Sequence, residues 1–252
     1  MSRKLAVLVG CAAVAAACGG SPTGPTVSAS RTARLSRTRF LAFGDSLTSG
    51  EVTAPIGGSV TAGEDTPPTG GVTKLIVVPS ASYPAVLLSD LQASYPSQAG
   101  AITVSNQGKG GESIFNGVLR FGDVFALTRP EAVLLQEGVN DLGSAGPDVA
   151  TGLMRLMVQA AKNGSARVFV GSTIPTLANR QRSQNAVQLE AYNDVLKVMC
   201  AQEGVTYVDL YNGIMPQADQ LIGVDGLHPN EAGYRRIAEL FFRAIQNELE
   251  DR

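Results

Sequence analysis

The 252-residue sequence contains no tryptophan, one histidine and three cysteines. Two of the cysteines, Cys11 and Cys18, lie near the amino terminus, so the remainder of the chain holds only Cys200 and cannot form an internal disulfide. The absence of a paired cysteine motif or a cysteine–histidine cluster argues against a zinc site of the usual kind. Cys200 falls within a helical pattern, which predicts a small buried side chain rather than a nucleophile. We therefore expect neither a metal nor a cofactor.

Acidic residues are absent from residues 1–39, which carry six Lys and Arg residues. The rest of the chain holds the other 14 of the 20 basic residues against 22 acidic ones, a formal net charge of −8. Because phosphate binding depends on clustered Lys and Arg, this acidic body argues against a nucleic acid partner. The basic segment is typical of a solvated linker, although it could also contact anionic lipid headgroups.

The apolar run near the amino terminus is too short to span a bilayer as a stable helix. It covers residues 5–17 and follows Arg3 and Lys4, a pattern typical of an export signal. Small residues directly before Cys18, with Gly and Ser after it, resemble a bacterial lipobox. We therefore expect residues 1–18 to be a lipoprotein-type signal peptide, with lipidation of Cys18. Ordinary cleavage at an Ala-x-Ala site and a transit peptide are the alternatives.

Residues 19–38 are rich in Gly, Pro, Ser, Thr and Arg and have no apolar pattern, which predicts a flexible tether. A lipid anchor on such a tether would hold the domain that follows, residues 39–252, near a membrane without spanning it. We expect an exported monomer. We expect it to be a cell-envelope lipoprotein. The alternative is a free periplasmic or extracellular protein.

Short apolar runs alternate with segments of helical periodicity from residue 40 onward. The apolar runs predict strands at residues 40–43, 102–104, 132–136, 167–170 and 205–208. The periodic segments predict helices at residues 84–92, 114–127, 147–162, 186–203 and 231–249. This alternation predicts one sizeable α/β domain with a parallel sheet and right-handed crossovers. Residues 51–82 are rich in Gly, Pro and Thr and predict a long loop, with a short hairpin around 74–78.

Polar residues follow several of these strands, at the edge of the sheet where α/β proteins bind ligands. The segments are Gly44-Asp45-Ser46-Leu47, Asn106 to Gly111, Gly138-Val139-Asn140-Asp141 and Asp225-Gly226-Leu227-His228-Pro229. The last segment holds the only histidine, and hence the only imidazole able to exchange a proton near neutral pH. Each segment alone could be a turn or a helix cap. Their order, with the histidine among them, favours a catalytic site.

Acyl transfer needs the residue types that these segments supply. A serine hydroxyl is a weak nucleophile and needs a base, which His228 can provide for Ser46. Asp225 can orient the imidazole and stabilise its charged form. The backbone N–H groups of Ser46 and Gly111, with the side-chain amide of Asn140, could form an oxyanion hole for the tetrahedral intermediate.

These segments resemble the four sequence blocks of the SGNH hydrolases, also called the GDSL lipase/esterase superfamily. The resemblance implies a flavodoxin-like three-layer α/β/α sandwich with a five-stranded parallel sheet. It implies a triad of Ser46, His228 and Asp225, and an oxyanion hole formed by Ser46, Gly111 and Asn140. It also implies a carboxylic ester hydrolase, such as an acetylesterase, lipase or lysophospholipase, that acts through an acyl-enzyme on small-molecule, lipid or carbohydrate esters.

Two other interpretations remain. An exported binding module could keep the fold without turnover, although the intact set of five site residues argues against it. A metal-dependent phosphoesterase or nuclease is disfavoured by the acidic body and the single histidine. The Gly-x-Ser-x-Gly elbow of the α/β-hydrolases is absent. Lys109 and Glu137 could line the site but are predicted to be solvated or structural, and the loop at 51–82 is longer than in compact superfamily members.

Overall fold

A five-stranded parallel sheet forms the centre of the protein, whose computed structural model describes residues 33–55 and 73–251. The strands are β1 (Arg34–Leu35), β2 (Arg39–Gly44), β3 (Glu51–Pro55), β4 (Thr73–Val77), β5 (Thr103–Gly108), β6 (Ala132–Gln136), β7 (Arg167–Gly171), β8 (Thr206–Val208) and β9 (Glu250–Asp251). The α-helices are α1 (Ser46–Ser49), α2 (Tyr83–Ser94), α3 (Ile114–Thr128), α4 (Gly146–Asn163), α5 (Ala186–Glu203), α6 (Leu210–Ile214), α7 (Ala218–Leu221) and α8 (Glu231–Leu249).

The strands of the central sheet lie in the order β5-β2-β6-β7-β8, and every neighbouring pair is parallel. In chain order this is the 2-1-3-4-5 arrangement of flavodoxin-like folds, which confirms the predicted fold class. The winding reverses at β2, because β5 and β6 follow it on opposite sides. Gly44 pairs with both Gly108 and Gln136, so these three strands end side by side. The crevice at such a reversal is where these sheets bind ligands.

The sheet is covered by helices on both faces, which explains its apolar strands. All five residues of β6 are buried. In one layer α2 packs on α8, with the ring of Tyr83 stacked 5.1 Å from that of Phe241. In the other layer α3 packs on α4 and α4 packs on α5. There the ring of Phe121 meets Phe43 of β2 edge-on at 5.1 Å. Burying each such ring contributes about 1.5–3 kcal/mol.

The ten predicted strands and helices of the main domain all form. The predicted bounds of β6, α5 and α8 match those observed. Strand β5 runs four residues beyond its prediction, to Gly108. Its polar end pairs fully with β2, so backbone hydrogen bonds extend the strand where the apolar pattern stops. Among the described residues, no helix has the length and apolarity needed to cross a bilayer.

The boundary predicted at residue 39 is too late. Arg34 and Leu35 pair in antiparallel fashion with the chain end at Glu250 and Asp251. Leu35 is buried, and its N–H and carbonyl both bond to the side chain of Gln98. The folded domain therefore includes residues that composition alone assigned to the tether. A two-residue strand is too short to produce a recognisable periodicity.

The loop predicted at 51–82 is in part a hairpin. Strand β3 pairs with β4 in antiparallel fashion, from Glu51 opposite Val77 to Pro55 opposite Thr73. The hairpin expected around 74–78 is therefore present, but its first strand was missed. That strand ends in a proline, which is tolerated only at strand edges and ends and which lowered its strand signal. The intervening residues 56–72 lie outside the described part of the chain.

Candidate active site

Ser46 is the first residue of α1 and lies two residues beyond the end of β2. The turn is fixed by Asp45, whose Oδ1 accepts a hydrogen bond from the N–H of Leu47 at 2.9 Å and caps the helix. It is tight because Gly44 has no side chain: a Cβ there would lie 2.0 Å from the carbonyl oxygen of Gln136. The Ser46 side chain is thereby held in the crevice at the carboxyl end of the sheet, where the residue is 3% exposed.

The segment from Asp225 to His228 is a tight turn. Oδ1 of Asp225 accepts hydrogen bonds from the N–H groups of Leu227 and His228, each at 3.0 Å. Gly226 has a φ of 85°, a left-handed conformation that favours glycine. The carbonyl of His228 accepts from the N–H of Gly223 at 2.7 Å. These bonds fix Asp225 and His228 relative to each other, as their spacing predicted.

A continuous hydrogen-bonded series joins the two segments. Nε2 of His228 lies 3.0 Å from Oγ of Ser46, and Nδ1 lies 2.6 Å from Oδ2 of Asp225. All three residues are almost fully buried. With a proton on Nδ1 donated to the carboxylate, Nε2 is left as an acceptor for the serine hydroxyl.

The electrostatics of Asp225 suit it to hold the imidazole. Burial alone would raise its pKa, but the hydrogen bond from His228 and the N–H groups of Leu227 and His228 outweigh burial and hold the pKa below its usual range. The guanidinium of Arg182 adds a positive charge, with Nε 3.6 Å from Oδ2 of Asp225. Asp225 is therefore a carboxylate at neutral pH, facing Nδ1 of His228.

The other two residues predicted for an oxyanion hole lie at the ends of β5 and β6. Gly111 is exposed and adopts a φ of 67°. Asn140 is exposed, and its Nδ2 donates to the carbonyl of Glu112, the residue after Gly111, at 2.9 Å. This bond ties the two loops together and uses one of the two N–H bonds of the amide. The N–H of Ser46 is free of helix bonding because the residue opens a helix.

A buried ion pair supports the glycine turn. The carboxylate of Glu112 is buried and pairs with Arg120 of α3, and Nζ of the exposed Lys109 lies 3.4 Å from Oε1 of Glu112. Arg120 also donates to the carbonyl of Gln107 and lies 4.0 Å above the ring of Phe43. Lys109 is thus a solvated partner of Glu112, in agreement with the prediction that it is solvated or structural.

Two further carboxyl groups are buried beneath the site. Burial raises the pKa of Asp45 to about 7, against the hydrogen bond from Leu47 and the charge of His228, which lower it. Burial raises the pKa of Glu137 to about 10, and the charge of Asp45 adds to the effect. Neither side-chain oxygen of Glu137 has a hydrogen-bond partner. Glu137 is therefore a neutral acid at pH 7 and does not line the surface.

Sequence reasoning missed two residues that adjoin the series. Oε2 of Glu51 lies 3.9 Å from Nε2 of His228. The hydroxyl of Tyr234 donates to the carbonyl of Glu51 at 2.5 Å and lies 3.5 Å from that of Ser46. Glu51 directly follows Gly50, which ends the helix that begins at Ser46, so the sequence places it near Ser46 but does not show its approach to His228. Tyr234 lies in the first turn of α8, where nothing in the sequence distinguishes it from a core residue.

The remaining predicted residues lie away from the series or outside the described chain. Cys200 is buried, and burial raises the pKa of its thiol to about 12, which agrees with a structural role. Cys18 lies outside the described residues. No group of three or more His, Cys, Asp or Glu side chains within 33–55 and 73–251 could hold a metal ion.

Comparison with known proteins adds to this geometry. A family model described as GDSL-like Lipase/Acylhydrolase matches residues 42–236. The chain is 26% identical over 157 residues to a multidomain esterase from Ruminococcus flavefaciens, covering 58% of this chain and 20% of that protein. The chain thus spans about a fifth of the length of that relative.

Solved structures show the same fold. A lipase/acylhydrolase from Enterococcus faecalis matches with a TM-score of 0.62 and 21% identity, over 84% of this chain and 97% of that one. A catalytic mutant of Axe2, an acetylxylan esterase from Geobacillus stearothermophilus, matches with a TM-score of 0.62 and 19% identity, over 84% and 94% of the two chains.

Proposed function

Starting from the fact that the chain belongs to the GDSL-like lipase/acylhydrolase family, we propose that it is a serine esterase that hydrolyses carboxylic esters through an acyl-enzyme on Ser46. The observation that carries this proposal is the buried hydrogen-bonded series from Oγ of Ser46 through His228 to Asp225. It lies at the winding reversal of the sheet, in a chain with a single histidine.

The first half of the proposed reaction acylates the enzyme. Oγ of Ser46 attacks the ester carbonyl carbon while Nε2 of His228 accepts the serine proton. Asp225 stabilises the imidazolium that results, because its carboxylate faces Nδ1. The carbonyl oxygen becomes an oxyanion in the tetrahedral intermediate. The N–H groups of Ser46 and Gly111 and the free amide N–H of Asn140 are proposed to donate to it, with each donor lowering the barrier by about 3 kcal/mol.

The second half releases the products. The intermediate collapses when the leaving alcohol takes the proton from Nε2 of His228, and the acyl group remains on Ser46. A water molecule then attacks the acyl carbon with His228 as base, and a second collapse releases the carboxylic acid and regenerates the serine. Because the same nitrogen serves both halves, loss of His228 blocks both.

For the substrate, we propose esters with short acyl groups, acetylated carbohydrate in the first place. Support comes from the Geobacillus neighbour, which is an acetylxylan esterase, and from the Ruminococcus relative, which is an esterase. Lipid esters and lysophospholipids are the competing class within the same chemistry. Chain-length preference separates the two, since a short-acyl enzyme loses activity steeply as the acyl chain grows.

The deciding experiment measures hydrolysis of p-nitrophenyl esters of increasing acyl length by wild type and Ser46→Ala. We expect wild type to hydrolyse the acetyl ester fastest and Ser46→Ala to be inactive. Ser49→Ala is the matched control, because Ser49 is on the same short helix and its hydroxyl donates to a backbone carbonyl, that of Ser46. Equal rates for wild type and Ser46→Ala would reject the esterase, and tight ester binding without turnover would identify a binding module instead.

We also propose that the protein is exported as a monomer, with residues 1–18 as a lipoprotein-type signal peptide, lipidation of Cys18 and a tether that ends before β1. The sequence pattern around Cys18 supports the anchor. Membrane fractionation of wild type and Cys18→Ser tests it: the variant should leave the membrane fraction, and unchanged partitioning would reject lipidation at that residue. Size-exclusion chromatography with light scattering tests the monomer.

A further inference from the structure

A second carboxylate faces the imidazole from the side opposite to Asp225. Oε2 of Glu51 lies 3.9 Å from Nε2 of His228, the same nitrogen that lies 3.0 Å from Oγ of Ser46. The Glu51 side chain is only 14% exposed. The mechanism above uses Ser46, His228 and Asp225 and leaves Glu51 without a role.

The position of Glu51 is closely determined by its surroundings. A Cβ at Gly110 would lie 1.7 Å from Oε1 of Glu51, so the absence of a side chain at 110 makes room for this carboxylate. The backbone of Glu51 pairs with Val77 in the β3–β4 hairpin. Its carbonyl accepts the hydroxyl of the fully buried Tyr234. The backbone contacts of Glu51 therefore fix the residue beside the site, and Gly110 leaves space for its carboxylate.

The distance between Glu51 and His228 suits a water molecule. At 3.9 Å, Oε2 and Nε2 are too far apart for a direct hydrogen bond. A water oxygen about 2.8 Å from each would bridge them with an angle of about 90° at the water. Such a water would use one O–H bond toward the imidazole and the other toward the carboxylate.

We propose that Glu51 positions the water that hydrolyses the acyl-enzyme, an inference that rests on the proposed function. Once Ser46 is acylated, its Oγ has no proton to donate and Nε2 of His228 becomes free to accept one from water. Oε2 of Glu51 accepts the second hydrogen, which fixes the water oxygen beside the acyl carbon. Orienting a reactant in this way lowers the entropic cost of the attack.

The atoms of this step balance. The water oxygen bonds to the acyl carbon, one water proton passes to Nε2 of His228, and the carbonyl electron pair moves to the oxyanion. When the intermediate collapses, the bond from carbon to Oγ of Ser46 breaks and Oγ takes the proton from Nε2. The carboxylic acid leaves with the second water proton, and Glu51 ends the step unchanged as a carboxylate.

This arrangement distinguishes deacylation from acylation. In acylation, the oxygen near Nε2 is that of the leaving alcohol, which carries a carbon substituent and has no hydrogen for Glu51. An alcohol acting as acyl acceptor has one O–H bond, which it must donate to His228. Only water can satisfy both groups. Glu51 therefore accelerates hydrolysis more than acylation, in which its charge 3.9 Å from Nε2 only adds to the stabilisation of the imidazolium, and it disfavours acyl transfer to alcohols.

The experiment follows p-nitrophenyl acetate by stopped flow, with intact-mass detection of the acetylated protein, in wild type, Glu51→Ala and Glu51→Gln. We expect Glu51→Ala to release a burst of about one equivalent of p-nitrophenol at a rate within about threefold of wild-type acylation, and then to turn over roughly ten- to a hundredfold more slowly. Acetyl-enzyme should accumulate, and added methanol should speed the variant more than wild type. Glu51→Gln should fall between them, because its amide oxygen can still accept a hydrogen bond from water.

The control is Asp123→Asn, which removes an exposed carboxylate of α3 and should leave both phases unchanged. Melting temperatures show whether each variant is folded. If Glu51→Ala is not folded, Glu51→Gln provides the test in its place. The proposal is overturned if burst and steady-state rates fall together or if neither changes. Failure of the proposed function has a different signature, since wild type itself would then form no adduct on Ser46.

Discussion

The two edges of the central sheet carry charged side chains in opposite ways. At the carboxyl edge, Asp45, Glu137 and Asp225 are each less than 3% exposed. Only Asp225 has a full set of hydrogen bonds to its carboxylate. One oxygen of Asp45 and both oxygens of Glu137 have none. Such groups cost stability, because a buried charge or an unpaired polar atom loses its hydration without recovering it in the protein.

At the amino edge, charged residues form ion pairs that remain in solvent. Arg39 at the start of β2 pairs with Glu131 at 3.4 Å, and these side chains are 52% and 28% exposed. Arg167 at the start of β7 pairs with Glu248 of α8, and both are similarly exposed. Exposed pairs of this kind contribute between zero and about 1 kcal/mol each. The difference indicates that the carboxyl edge holds buried carboxyl groups around the candidate site at a cost in stability, whereas the amino edge keeps its charges in solvent.

The largest expected effect is at the carboxyl edge, in His228→Ala. No other histidine exists in the chain, so nothing can replace the base, and kcat should fall on the order of 10⁴-fold or more. The fold should persist, which far-UV circular dichroism can check beside ester hydrolysis. A folded variant that retains most of its activity would show that the carboxyl edge is not organised around this imidazole.

A smaller loss is expected for Asn140→Ala. The side chain is exposed and its amide makes one hydrogen bond, to Glu112, so stability should change little. If the free N–H donates to the oxyanion, kcat should fall about 10²- to 10³-fold with little change in KM. Steady-state kinetics with p-nitrophenyl acetate measures both, with Asn163→Ala, an exposed asparagine at the end of α4, as the control. A change confined to KM would assign Asn140 to ground-state binding.

Glu137→Gln is predicted to change the way in which the stability of the fold depends on pH. The folded pKa of Glu137 is raised to about 10, so between its ordinary value and pH 10 the folded protein holds a proton that the unfolded chain has lost. The wild-type fold therefore loses stability as pH rises. The glutamine variant has no proton to lose at this position, so its stability does not fall for this reason. The stability of Glu137→Gln relative to wild type should rise between about pH 5 and pH 8, by at most about 1.4 kcal/mol per pH unit.

Urea unfolding of both proteins at several pH values measures this difference. A difference that is independent of pH would show that Glu137 does not hold a proton in the folded state, and would remove one of the two costly groups from the carboxyl edge.

The smallest effect is expected at the amino edge, for Glu248→Gln. The change breaks the exposed pair with Arg167. The free energy of unfolding should change by less than about 1 kcal/mol, and ester hydrolysis should not change at all. Urea unfolding at low and high salt provides the measurement. A loss of several kcal/mol would show that the two edges do not differ in the way described above.

Most of the fold followed from the sequence because its elements have strong local signals. Buried parallel strands give continuous apolar runs, and the long helices α3, α4 and α8 give amphipathic periodicity. The short pieces escaped prediction. Leu35 is buried by a two-residue strand that pairs with the far end of the chain, and Glu51 begins a strand that ends in proline. Both depend on partners distant in sequence, which local patterns cannot reveal.

The site was predictable to the extent that it depends on strand ends. Ser46, Gly111 and Asn140 follow three strands that the apolar pattern located, and the single histidine was conspicuous. The burial of charge was not predictable, because glutamate is fully buried at position 137 and partly exposed at position 131. The proximity of Glu51 to His228 was likewise set by the hairpin geometry rather than by any motif.

The most direct test of the acyl-enzyme on Ser46 is to locate the acyl group itself. Wild-type enzyme is mixed with p-nitrophenyl acetate, quenched in acid within the steady state, digested, and analysed by tandem mass spectrometry. We expect acetylation of Ser46 alone, and no acetylated peptide in Ser46→Ala or His228→Ala. Acetylation at another residue during turnover, or turnover by Ser46→Ala at the wild-type rate, would contradict this expectation.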